Sequence, residues 1–96
     1  MKYGLDDRVI SRLKDFFAKY DFIDDVVIFG SRGRGDYSRS SDIDIAIFSQ
    51  NMSSREFSIL KFQLDELPIL QKIDIIHFEK VDNTLQKNIL KYAKRL

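Results

Sequence analysis

Asp42 and Asp44 stand two residues apart in the run DIDIAIF, and Gly30 and Ser31 precede them across a gap of ten residues. On a β-strand, residues two apart project from the same face, so both carboxylates point one way while Ile43 and Ile45 point the other. Two aligned carboxylates repel each other unless a cation or an arginine lies against them. Mg²⁺ takes hard oxygen ligands at about 2.0–2.1 Å and typically uses one or two carboxylates plus substrate phosphates. Asp42 and Asp44 suit that ion. Gly30 has no Cβ to keep a polyphosphate from the backbone, and Ser31 offers a hydroxyl and an N–H where a turn begins. If Ser31 to Arg34 begin a short helix, its free N–H groups add to a phosphate seat. Arg32 is the nearest charge for that seat. Arg32, Arg34 and Arg39 have two readings, phosphate contact or the solvation of an exposed loop.

A third carboxylate, Asp74, lies between isoleucines in KIDIIHF, where burial without a partner is costly. A strand placed beside DIDIAIF would bring Asp74 to Asp42 and Asp44 around two ions about 3.5 to 4 Å apart. Such a pair of ions activates an attacking hydroxyl and neutralises a departing pyrophosphate. An EF-hand is excluded, because Ala46 occupies the next ligand position and no loop glycine follows. Taken singly, a Gly-Ser turn is uninformative and Asp-x-Asp is common at strand ends. Their joint spacing with Asp74 is the specific signal.

The elements that must hold these residues follow from periodicity. Leu5, Val9, Leu13, Phe16 and Tyr20, widened by Ile10 and Phe17, mark an amphipathic helix. Val26 to Phe29 reads as a first strand, Asp42 to Phe48 as a second and Lys72 to Phe78 as a third. Residues 30–41, with three glycines and three arginines, read as loop with room for one turn of helix. Ser53 and Glu56 have capping-box spacing, and Phe57, Leu60, Leu64 and Leu67 continue a helix that Pro68 ends. A last stripe runs through Leu85, Ile89, Tyr92 and Leu96. His77, the only histidine, sits in an apolar strand and reads as structural. Tyr37 reads as a loop residue.

Bulk properties bound the function. Ninety-six residues, 44% hydrophobic and 32% charged, fit one small domain over 1–96, with no room for an acceptor-binding domain. A net charge of +1 supplies no field for gripping a nucleic-acid backbone. The absence of cysteine excludes disulfides and fits a cytoplasmic protein. The charged N-terminus carries no apolar signal segment, and no apolar run is long enough for a membrane span.

With Gly30, Ser31, Asp42, Asp44 and Asp74 in hand, the chain resembles the DNA polymerase β-type nucleotidyltransferases over nearly its whole length. It is most similar to the minimal nucleotidyltransferases (MNT) encoded beside HEPN-domain proteins. The resemblance implies an α+β fold in the order α-β-(short α or loop)-β-α-β-α, with a mixed sheet of three or slightly more strands backed by helices. It implies Mg²⁺ on Asp42, Asp44 and Asp74, ATP near Gly30, Ser31 and Arg32, and Asp74 as ligand or base. It further implies an antitoxin that attaches AMP to a tyrosine of a HEPN ribonuclease toxin, in a hetero-oligomer or after self-association. A catalytically silent binding subunit, and the catalytic half of a two-chain small-molecule nucleotidyltransferase, are the competing readings.

Overall fold

Residues 1–96 are all described in the computed structural model. In chain order it comprises α1 (Asp7–Ala18), β1 (Asp25–Phe29), α2 (Gly30–Arg34), β2 (Ile43–Phe48), α3 (Ser54–Asp65), β3 (Ile73–His77), a 3-10 turn (Phe78–Lys80), α4 (Asn83–Tyr92) and β4 (Lys94–Arg95). The order matches the sequence reading, with a fourth strand added at the end. One mixed sheet carries the strands as β3-β2-β1-β4. β2 runs antiparallel to β1 and parallel to β3, and β4 is antiparallel to β1. Parallel neighbours need a long crossover, which α3 supplies.

Local chemistry sets the helix ends. α1 starts at Asp7 because the Asp6 carboxylate accepts a hydrogen bond from the Arg8 N–H at 2.7 Å. The apolar stripe outruns this helix at both ends: Leu5 is buried ahead of it in a short bridge with Lys2, and Tyr20 follows the closing turn. The capping box of α3 is formed as expected. Ser53 Oγ accepts from the Glu56 N–H at 3.0 Å, and the Glu56 carboxylate accepts from the Ser53 N–H at 2.9 Å. Ser53→Ala should therefore lower the unfolding free energy by about 1 kcal/mol in a urea titration. An unchanged midpoint would show that the box adds nothing.

The sheet is covered unequally on its two faces. Ile43, Ile45 and Ile47 of β2 join Val26, Ile28 and Ile75 in a core closed by Ile10, Leu13, Phe16 and Phe17 of α1 and by Leu60 and Leu64 of α3. On the other face Val27 and Ala46 meet Ile89 of α4. By strand alternation Asp44 and Asp74 lie on this second face, beyond the part that α4 covers.

Leu96 is not part of the last helix. α4 stops at Tyr92, Ala93 turns extended, and Lys94 and Arg95 pair with Ile28 and Val27 along the free edge of β1. The Leu96 N–H then donates to the Val26 carbonyl at 3.1 Å. An unpaired edge strand leaves backbone groups unsatisfied, and the C-terminal residues supply the missing partners.

Candidate active site

Strand register assembles the acidic site. Asp44 is the cross-strand partner of Phe29 in β1 and of Asp74 in β3, so the three residues form one row across the sheet. Adjacent strands are about 4.8 Å apart, which places the Asp44 and Asp74 carboxylates as neighbours on one face. Asp42 belongs to the same face, two residues earlier, but lies just outside β2 and is exposed. The expected second strand thus begins one residue later than Asp42.

Gly30 follows Phe29 at the end of that row, with φ +66, in the left-handed region that favours glycine. A Cβ there would lie 2.2 Å from Asp44 Oδ2. The space that a side chain would need is filled by the Asp44 carboxylate, so the glycine is required by Asp44 itself. Polyphosphate approach was the sequence-based reason for a glycine; the structure supplies an internal one.

The electrostatics agree with this crowding. Burial lifts the Asp44 carboxyl above its ordinary value of 3.8, and the charges of Asp74 and Asp42 lift it further. Arg34 and Lys72 oppose the shift. Three carboxylates acting on one point, each with hard oxygen donors, is the combination a divalent cation relieves.

Residues 11–96 match the family described as Polymerase beta, Nucleotidyltransferase. The chain belongs to this family. Among solved structures, one of a minimal nucleotidyltransferase is similar with a TM-score of 0.75 and 21% identity, covering 100% of this chain and 97% of that one. A toxin-antitoxin complex with AMP-PNP gives 0.68 and 21% over 93% of this chain and 69% of that chain. A tri-AMPylated Shewanella oneidensis HEPN toxin in complex with MNT antitoxin gives 0.54 and 18% over 93% and 66%. No curated protein sequence is significantly similar.

Within this nucleotidyltransferase fold, the sequence-based placement of Arg32 on the nucleotide needs correction. Arg32 is 1% exposed, and its guanidinium is spent inside the protein. It donates to the carbonyls of Tyr3 at 2.9 Å, Ser41 at 2.9 and 3.2 Å, Arg39 at 3.2 Å and Ser38 at 3.5 Å. Buried to this degree, the guanidinium is closed off from a phosphate that approaches from solvent. The residue was misread because a run of Gly, Ser and Arg looks like a solvated loop, and burial of one arginine in such a run has no sequence signal.

Arg34 and Lys72 are the cations that face the acidic row. Arg34, half-exposed, pairs with Asp36 at 3.2 Å, and Lys72 Nζ lies 3.7 Å from Asp74 Oδ1. Lys72 precedes Asp74 by two residues, and strand alternation is the signal that could have found it. His77, at the other end of β3, is buried, and its Nε2 lies 2.8 Å from the Ser49 carbonyl, the structural role expected of it.

Asp42, Asp44 and Asp74 fit a hard divalent cation by donor type and by their effect on Asp44. Their side chains are not closed into a ligand cage: no three acidic or histidine groups converge at ligating distance. The charges of Asp74 and Asp42 act on Asp44 across the row. Beside Asp42 a cleft of about 590 Å³ opens to solvent, lined in part by Gly4, Asp6, Arg39 and Lys72. No helix is long and apolar enough to cross a membrane.

Proposed function

We propose that this chain is a Mg²⁺-dependent adenylyltransferase that moves AMP from ATP onto a hydroxyl carried by a second polypeptide, a tyrosine of a HEPN ribonuclease toxin, and so acts as its antitoxin. The observation that carries the reading is the row of Asp44 and Asp74 in register, with Asp42 on the same face and Gly30 beneath Asp44. The solved relatives that contain AMP-PNP and an AMPylated HEPN toxin support the choice of nucleotide and acceptor.

In this reading the acceptor oxygen bonds to the α-phosphorus as the bridging oxygen to the β-phosphorus leaves with pyrophosphate. Asp74, half-exposed at the sheet edge side of the row, takes the acceptor proton or orients the hydroxyl. Asp42 and Asp44, with Asp74, would hold Mg²⁺, which would supply neutralising charge for the triphosphate and the acceptor hydroxyl. Gly30 and Ser31 seat the phosphates, and Arg34 replaces Arg32 as the arginine available to them. Holding the reactants in line provides much of the remaining acceleration.

The test combines α-labelled ATP, Mg²⁺ and the HEPN-domain protein encoded beside this chain. Label on that protein, an intact mass raised by one or more AMP groups, and loss of its ribonuclease activity are the expected results. A partner that is silenced without any added mass would identify a binding subunit instead.

A further inference from the structure

We infer that Arg32 is a positioning residue for the divalent cation, acting through the backbone that leads into Asp42. This rests on the reading of Asp42, Asp44 and Asp74 as the cation site. Arg32 is buried with no carboxylate partner, an arrangement that is costly unless its charge is met by dipoles. Carbonyls from Tyr3, Ser38, Arg39 and Ser41 meet it, and the Tyr37 ring lies 5.3 Å from the guanidinium carbon. Only the planar fork of arginine has enough donors in fixed directions to gather carbonyls from two separate segments.

What the fork gathers is the approach to the site. Ser41, the residue before Asp42, accepts from both Nε and Nη2, and on the far side the Ile43 N–H donates to the Lys72 carbonyl at 2.8 Å. Asp42 is therefore pinned on both flanks while its own side chain is exposed. Of the three carboxylates it is the one outside the strand ladder, so its direction depends most on these two attachments. The N-terminal segment joins the same knot. Tyr3 holds φ +57, a strained conformation for a residue with a Cβ, while its carbonyl accepts from Arg32 and its hydroxyl donates to the Arg95 carbonyl at 2.6 Å.

Mn²⁺ titration of the protein without nucleotide, followed by the electron paramagnetic resonance of the free ion, reads cation affinity without turnover. Arg32→Gln should weaken Mn²⁺ binding by about tenfold or more, as loss of a group orienting a ligand does. Arg32→Lys and Tyr37→Leu should each shift it in the same direction by less. These two gentler variants keep the test decisive if Arg32→Gln does not fold. Ser53→Ala, which weakens α3 away from the site, controls for lost stability and should bind Mn²⁺ normally. Wild-type affinity in folded Arg32→Lys and Tyr37→Leu together overturns the inference and leaves the cation site standing. Wild-type protein that binds no Mn²⁺ removes both.

Discussion

Asp44→Asn should lower AMP transfer by about 10²–10³-fold and, in the same protein, raise the melting temperature at pH 7 without divalent cation. The two effects share one cause. Asp44 is lifted above the ordinary value of 3.8 by burial and then by Asp74 and Asp42, so the folded state resists its ionisation. Between pH 3.8 and the raised folded value, the native state binds more protons than the unfolded state, and stability falls as pH rises. Above both values the penalty is complete. An amide of the same shape carries no charge to penalise, so the variant gains most at neutral pH and loses its advantage below pH 3.8. Mg²⁺ neutralises the same charge that a proton does, and should stabilise wild type more than the variant. Circular dichroism melts from pH 3.5 to 7.5, with and without Mg²⁺, check this, alongside labelled-ATP transfer. A variant no more stable than wild type at pH 7 would remove the electrostatic account of the site.

This opposition between activity and stability explains why the carboxylates were legible in the sequence. Acidic side chains among isoleucines break the apolar pattern of two strands, and such breaks mark groups retained for something other than packing. The alternation of DIDIAIF and KIDIIHF also gave the shared face of Asp42 and Asp44, and the capping box at Ser53 fixed the start of α3. Register was beyond reach. That Asp44 pairs with Asp74 follows from the length and seating of α3, which returns the chain parallel to β2, and no local pattern records it. Arg32 was misread for a related reason: its partners are backbone carbonyls, and a carbonyl has no residue type. β4 is two residues long, too short to have a period, and exists because β1 had an open edge.

Gly30→Ala should combine a backbone penalty with a direct disturbance of Asp44, and the other glycines of the same loop allow the two to be separated. Gly35 has φ +94 and nothing within 4 Å of an added Cβ, so Gly35→Ala measures left-handed strain alone, about 1–2 kcal/mol. Gly30→Ala carries that strain at φ +66 and also sets a methyl group 2.2 Å from Asp44 Oδ2. The carboxylate is the movable partner and must rotate out of its position. A displacement of about 1 Å in a reacting constellation costs roughly 10²-fold in rate, so transfer should fall by that order in Gly30→Ala and remain near wild type in Gly35→Ala. Gly33→Ala gives a third pattern, because its Cβ would meet backbone, 2.9 Å from the Tyr92 carbonyl oxygen and 3.1 Å from that of Ile28. Backbone cannot rotate away, so α2 must lift from α4 and stability falls without a positive φ to blame. Urea titrations and transfer assays on the three variants give the ordering. Equal activity in Gly30→Ala and Gly35→Ala would mean that the glycine serves the turn and not the carboxylate above it.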